Sequence, residues 1–136
     1  MHVAVLAGGA LLAGCPTVDL GDAPPGVGEC RPSRTYFEDV LWPEFLAPGA
    51  TPASCVDAAG CHAQADGRSA LRLSTTNPID FDANYATTTR FLNCGTPSAS
   101  TLLSKPVSGV VEHGGGDLFA PGSTEEDVFL QWFDEP

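Results

Sequence analysis

Glycine and proline place the strongest limits on what this chain can fold into. They contribute 15 and 12 of its 136 residues, which is about a fifth of the total. Glycine adds backbone freedom and proline lacks an amide hydrogen, so neither is common inside regular helices. This frequency excludes a long helical bundle or coiled coil. The length predicts one domain with a modest core, and a hydrophobic fraction of 43% argues against a disordered chain.

The charge balance excludes several classes of partner and activity. Seventeen Asp and Glu side chains outweigh six Lys and Arg side chains, which gives a net charge of −11. Such a field repels phosphate backbones and anionic membrane surfaces and attracts proteins with a basic surface, so no nucleic-acid partner is expected. The sequence contains no phosphate loop, dinucleotide-binding fingerprint or Gly-x-Ser-x-Gly motif, so it gives no support to a hydrolase or a nucleotide-binding enzyme, and an electron carrier or a binding module is expected instead.

The N-terminus has the pattern of an export signal. An apolar run of about 11 residues, residues 3–13, is too short to cross a bilayer but is typical of a signal-peptide core. It ends in Leu-Leu-Ala-Gly-Cys15, which resembles the lipobox of bacterial lipoproteins. The resemblance implies a signal peptide over residues 1–14 and a lipid on Cys15 as the only membrane contact. Pro16 rather than Asp follows Cys15, which favours the outer membrane of the cell envelope. The alternatives are an ordinary secretory signal in which Cys15 has no role, or a buried N-terminal strand.

The remaining cysteines need partners or functions outside the cytoplasm, where disulfides persist. Residues 15–32 are rich in proline and glycine and are predicted to be a flexible tether, with the domain over residues 33–136. Removing Cys15 from the count leaves four cysteines, which are Cys30, Cys55, Cys61 and Cys94. They allow three disulfide connectivities, or one disulfide and two thiols used otherwise.

Three helical segments are predicted from capping residues and apolar spacing. The first begins near Thr35, because Thr35 and Glu38 form a capping box, and Pro43 is expected to bend or end it. Its predicted buried face consists of Phe37, Val40, Leu41 and Phe45. The second spans residues 82–92, although three consecutive threonines weaken it. The third begins at the capping box of Ser123 and Glu126 and carries an apolar stripe formed by Val128, Phe129, Trp132 and Phe133.

A cysteine–histidine segment carries the most chemical information. Cys55 and Cys61 are separated by five residues, and His62 follows directly. The segment resembles the Cys-x-x-Cys-His attachment site of c-type cytochromes, in which two thiols bind the haem vinyl groups and the histidine binds the iron. The spacing departs from the two residues of that motif. The alternatives are a Cys55–Cys61 disulfide beside an exposed His62, or a zinc site that adds His113, where adjacent Cys61 and His62 would crowd a tetrahedral ion.

The rest of the domain resembles the small cytochrome-c-like domains of bacterial exported proteins, notably the planctomycete and myxobacterial type. The resemblance lies in the order of six short blocks, which are residues 37–46, 61–74, 82–85, 97–106, 113–116 and 123–133. It implies a mostly helical cytochrome-c-like domain with few short helices and long loops. It also implies that His113, at the start of a His-Gly-Gly-Gly block, is the second axial ligand.

The count of possible iron ligands agrees with this implication. Met1 is the only methionine and leaves with the signal peptide, so His62 and His113 are the axial candidates. With haem on Cys55 and Cys61, Cys30 and Cys94 can pair. The apolar wall of the haem site is expected from Phe37, Leu41, Leu71, Leu103 and Trp132. The expected function is one-electron transfer to a redox partner with a basic surface. The alternative is a haem-free, disulfide-stabilised lipoprotein that acts as an interaction or assembly module.

Overall fold

The computed structural model describes residues 30–50, 54–57, 61–64, 69–107, 109 and 111–135. Its helices are α1 (Arg34–Tyr36), a π-helical segment that continues it (Phe37–Leu46), α2 (Phe81–Thr89), a 3-10 helix (Pro97–Ala99), α3 (Thr101–Ser104) and α4 (Thr124–Gln131). Within these ranges no strand forms, and extended pairing is limited to two isolated bridges. A mostly helical domain is therefore confirmed. The predicted signal peptide, Cys15 and tether residues 15–29 lie outside the described residues.

The first helix differs from its prediction at its start and in its winding. Ser33, not Thr35, is the N-cap, and its hydroxyl accepts a hydrogen bond from the Tyr36 amide at 3.3 Å. The helix continues through Pro43 instead of ending there, and the Ala47 amide donates to the carbonyl of Trp42, five residues earlier, at 2.8 Å. α-Helical winding would press the proline ring against a carbonyl of the preceding turn, and the wider turn accommodates it.

The wider winding also changes which side chains are buried. The buried members of the segment recur every four or five residues and are Phe37, Leu41, Trp42, Phe45 and Leu46. Val40, which a 3.6-residue period places on the inner face, is only half-buried, whereas Trp42 is turned inward. The prediction of Phe37, Leu41 and Phe45 as core residues is therefore confirmed. The prediction of Val40 as a core residue is wrong, because it assumed α-helical winding of 3.6 residues per turn.

The two ends of the domain meet in an aromatic core. Phe37 and Trp132 are fully buried, and their ring centres lie 5.7 Å apart. The indole Nε1 of Trp132 donates to the Ser33 carbonyl at 2.7 Å, and the Tyr36 hydroxyl donates to the Val128 carbonyl at 3.0 Å. The burial of large aromatic surface with its polar atoms satisfied fixes α4 against the first helix.

The start of α4 is as predicted. The Ser123 hydroxyl accepts a hydrogen bond from the Glu126 amide at 3.3 Å, as a capping box requires. The Glu126 carboxylate accepts from the Gly122 amide rather than from that of Ser123. Phe129 and Trp132 are buried, and Val128 and Phe133 are half-buried, which confirms the apolar stripe.

The threonines of α2 are accommodated by hydrogen bonds inside the helix. Asp80 is the N-cap, and Thr88 and Thr89 are buried at the C-terminal end. The Thr88 hydroxyl donates to the Asn84 carbonyl at 2.7 Å, and the Thr89 hydroxyl donates to the Ala86 carbonyl at 3.2 Å. Because these carbonyls supply acceptors, the threonines are buried without an unsatisfied hydroxyl.

A buried amide side chain connects α2 to the segment that precedes it. Asn84 is 1% exposed, its Oδ1 accepts from the Ser74 amide at 2.6 Å, and its Nδ2 donates to the Ser74 carbonyl at 3.0 Å. The neighbouring Leu73 amide donates to the His62 carbonyl, and the Gln64 amide donates to the Leu73 carbonyl, both at 2.8 Å. Asn84 therefore orders the backbone that carries His62.

A disulfide holds the first described residue of the chain. Cys30 is 1% exposed and is bonded to Cys94, with Cα atoms 5.5 Å apart and a sequence separation of 64. Cys55 and Cys61 are free thiols. Of the cysteine arrangements that the sequence allows, the structure therefore has the one with one disulfide and two free thiols.

Removal of the disulfide is expected to destabilise the domain by about 4 kcal/mol, because it releases a loop of 64 residues in the unfolded chain. Urea unfolding of the Cys30→Ala, Cys94→Ala double variant, compared with the oxidised wild type, measures this loss. A reductant should lower the wild-type midpoint and leave that of the variant unchanged. Equal midpoints for the oxidised wild type and the variant would contradict the prediction.

Loss of the Asn84 amide is expected to lower the free energy of unfolding by about 1–3 kcal/mol, because Asn84→Ala removes two hydrogen bonds to the backbone of the half-buried Ser74. Urea unfolding measures the loss, and faster hydrogen exchange of the Leu73 amide reports the loosened segment. Gln64→Ala is the matched control, since it truncates an exposed side chain and keeps the same backbone pairing. Similar stability of the two variants would refute this role for Asn84.

Candidate functional site

Each of the two histidines is connected to an isolated backbone bridge. His62 directly precedes Ala63, which forms a parallel bridge with Leu73. His113 belongs to a loop whose base is the bridge between Val107 and Phe119. Leu73 and Phe119 are buried in the core. The core thereby fixes both bridges, and the backbone of each histidine is connected to one of them.

The structure brings His62 and His113 together. Their ring centres lie 6.0 Å apart and the ring planes differ by 13°. The two residues are 51 positions apart in sequence (113 minus 62), so the tertiary fold alone creates this proximity. The pair lies at the domain surface, with both residues partly exposed.

The protonation site of each imidazole follows from its hydrogen bonds. Nδ1 of His62 lies 3.1 Å from the Leu71 carbonyl, and Nδ1 of His113 lies 2.9 Å from the Gly116 carbonyl. A carbonyl oxygen only accepts hydrogen bonds, so in both rings Nδ1 is the donor. A neutral imidazole with a proton on Nδ1 has its lone pair on Nε2. Metal-binding histidines in proteins are commonly oriented in this way.

The glycines after His113 have two different structural roles. A Cβ at Gly115 would lie 3.2 Å from Cε1 of His113, so the absence of a side chain leaves room for the ring. Gly116 has φ +81°, a conformation that favours glycine, and it brings its carbonyl to Nδ1 of His113. A Cβ at Gly114 would contact nothing within 4 Å. Two of the three glycines therefore position the imidazole.

The surroundings of His62 favour its neutral form. Partial burial lowers the pKa of His62, the hydrogen bond to the Leu71 carbonyl acts in the opposite direction, and electrostatic interactions with His113 and Lys105 lower the pKa further. The neutral ring is the form that binds metals.

Two adjoining cavities border the histidine pair, and each includes one of the free cysteines. The first has a volume of about 280 Å³ and is lined by Cys55 and by mostly apolar side chains, among them Leu71, Phe91 and Leu102. The second has a volume of about 420 Å³ and is lined by Cys61, Gly114 and Gly115. Both are bordered by His62, Ser69, Lys105 and His113. All four predicted site residues are thus gathered at one place.

The apolar wall differs from the one expected. Of the five residues proposed for it, only Leu71 is among the described lining residues, and the other four belong to the core behind the site. Phe91, Leu102 and Pro106 take their places. Phe91 and Leu102 have the same side chains as Phe37, Leu41 and Leu103, so residue type alone does not indicate which apolar side chains border the cavity. Lys105 was also missed, and no local sequence signal marks it.

Burial keeps one of the two free thiols protonated. Loss of water around the sulfur raises the pKa of the Cys55 thiol to about 12. A thiol with this pKa stays protonated at neutral pH and therefore resists oxidation to a disulfide.

The described residues contain no cluster of three or more His, Cys, Asp or Glu side chains that would hold a metal ion. The zinc arrangement of Cys55, Cys61, His62 and His113 is therefore not formed by them. Within the same part of the chain, no helix is long and apolar enough to span a membrane.

Comparison with known proteins gives no relative. No family model, curated protein or solved structure matches the chain.

The glycine roles give a matched pair of variants. Gly115→Ala is expected to displace the His113 ring, because its Cβ would lie 3.2 Å from the ring, whereas Gly114→Ala meets nothing. Crystal structures of both variants should show the His62–His113 separation increased in the first and kept at 6.0 Å in the second. Unfolding midpoints should stay close to wild type, since both residues are exposed. An unmoved ring in Gly115→Ala would contradict this account.

Proposed function

We propose that this protein binds one haem covalently and transfers single electrons in the bacterial cell envelope. In this proposal Cys55 and Cys61 hold the macrocycle, and His62 and His113 are the axial ligands of the iron. We also propose that the domain has a cytochrome-c-like fold.

The separation of the two imidazoles is the observation that carries the proposal. Two metal–imidazole bonds of about 2 Å place the ligating nitrogens about 4 Å apart, and half a ring on each side brings the ring centres to about 6 Å. The observed separation is 6.0 Å. Both rings donate through Nδ1 to a backbone carbonyl, which leaves both Nε2 lone pairs for the iron. The donor set fits haem, whose macrocycle provides the other four ligands.

The state of the cysteines also supports covalent attachment. Cys55 and Cys61 would each add an S–H bond across a vinyl group, which needs no oxidant and releases no atom. This addition requires free thiols, and both cysteines are free. They border the same histidine pair from two adjoining cavities.

The remaining residues of the site would control polarity and exposure. Haem supplies an iron centre that gains and loses one electron. Saturation of the iron by two imidazoles would favour electron transfer over reactions that need an open coordination position, at a lower potential than His–Met ligation gives. Leu71, Phe91 and Leu102 would limit the access of water to the haem. Lys105 would provide a positive charge for a carboxylate of the haem.

Attachment to the membrane and the choice of partner complete the proposal. A lipid on Cys15 would keep the domain at the membrane, with the outer membrane preferred. The net charge of −11 would steer the domain toward a redox partner with a basic surface.

The alternative function is that of a haem-free lipoprotein stabilised by disulfides, which would act as an interaction or assembly module. One observation is compatible with it, namely the Cys30–Cys94 disulfide. Its second disulfide, between Cys55 and Cys61, is not formed.

A reduced pyridine haemochrome spectrum tests the proposal. The protein is exported from a host with c-type maturation machinery, and its intact mass is measured in parallel. We expect a c-type spectrum and the added mass of one haem. Cys55→Ala with Cys61→Ala should abolish covalent attachment, whereas the matched control, Cys30→Ala with Cys94→Ala, should keep it. His113→Ala should keep the haem and allow carbon monoxide to bind the ferrous iron.

A colourless protein would overturn the haem proposal. A mass lower by four hydrogens than that of the reduced chain would then show two disulfides and support the alternative function.

A further inference from the structure

Ser69 contacts the proposed axial ligand His62 at Nδ1, the ring nitrogen that would not bind the iron. The proposed function assigns Ser69 no role. Its Oγ lies 2.6 Å from Nδ1 of His62 and 2.7 Å from the carbonyl oxygen of Leu71. That carbonyl also lies 3.1 Å from Nδ1 of His62. Three polar atoms therefore form a closed triangle next to the imidazole.

The number of protons in the triangle determines the direction of each hydrogen bond. The Leu71 carbonyl has no proton, and the Ser69 hydroxyl has one. If that proton pointed to Nδ1, the Leu71 oxygen would face lone pairs on both Oγ and Nδ1 at these distances. The arrangement without repulsion has Ser69 donating to Leu71 and accepting from Nδ1–H of His62. His62 then shares its Nδ1 proton between two acceptors.

The two imidazoles are therefore not equivalent. Nδ1 of His113 has the Gly116 carbonyl as its acceptor, at 2.9 Å. Nδ1 of His62 has two acceptors, and the shorter contact, at 2.6 Å, is the one to Ser69. Hydrogen-bond acceptors at the ring nitrogen that does not bind the metal fix the orientation of the ring and make the ligating nitrogen more basic.

We propose that Ser69 is a positioning residue that accepts the Nδ1 proton of His62, holds its ring, and strengthens Nε2 as an electron donor to the iron. The effect on iron rests on the proposed function, whereas the hydrogen bond does not. A stronger donor stabilises ferric iron over ferrous iron, so Ser69 lowers the reduction potential.

The hydrogen bond is tested in the haem-free protein by NMR. In the wild type, the Hδ1 proton of His62 should resonate downfield and exchange slowly with water. In Ser69→Ala only the longer bond to Leu71 remains, so the signal should move upfield and exchange faster. Ser69→Thr keeps the hydroxyl and should restore the wild-type behaviour. An unchanged Hδ1 signal in Ser69→Ala, or a proton on Nε2 in the wild type, would overturn the proposal.

The consequence for iron is tested by potentiometry of the haem-loaded protein. Ser69→Ala should shift the equilibrium toward the reduced form by about fivefold, as the loss of one hydrogen bond predicts. Ser69→Thr should stay near the wild-type potential. Ser123→Ala is the matched control, because it removes a capping hydroxyl from α4 and contacts neither histidine. Equal shifts in Ser69→Ala and Ser123→Ala would show a general loss of stability and refute a role for Ser69.

The two measurements separate the two proposals. A wild-type protein that takes up no haem refutes the proposed function and the effect on potential, while the NMR experiment still decides whether Ser69 accepts the proton. A haem protein whose potential does not change in Ser69→Ala refutes the positioning role and leaves the proposed function intact.

Discussion

The candidate site depends on one buried side chain, the amide of Asn84. It satisfies both backbone groups of Ser74 from inside the domain, and the preceding residue, Leu73, pairs with the backbone around His62. A buried amide with both of its functions used is costly to replace, since any apolar substitute leaves two backbone groups unpaired. Through this chain of hydrogen bonds, helix α2 sets the position of the backbone around His62.

A different set of contacts positions the second histidine, His113. The His113 loop closes where Leu118 and Phe119 donate to the Pro106 carbonyl, and Phe119 packs against Phe45 and Phe129 in the core. At the tip, Gly115 leaves room for the ring and Gly116 supplies the carbonyl that orients it. Two loops with independent supports thus hold two parallel imidazoles, which explains how a domain rich in glycine and proline can present an ordered pair.

Local signals in the sequence predicted the helices with mixed success. The Ser123 cap and the stripe of α4 follow from residues within one or two turns, and both predictions are confirmed. The start of the first helix was placed two residues late, and its period was taken as 3.6 although Pro43 is accommodated by wider winding. The prediction of the apolar wall was wrong for four of its five residues. Apolar character indicates that a side chain is buried, but it does not specify which buried side chains border a cavity.

The sequence by itself determined the acidic charge, indicated a mostly helical domain, and supplied the two thiols and two imidazoles of the candidate site, which are Cys55, Cys61, His62 and His113. These are properties of composition and short spacing. Only the tertiary structure decided that Cys30 pairs with Cys94, that the histidine rings lie 6.0 Å apart and that Ser69 contacts His62. Each of the first two joins residues more than 50 positions apart, and the third depends on a loop held by Asn84. Sequence spacing cannot specify such contacts, because packing of the core brings distant segments together.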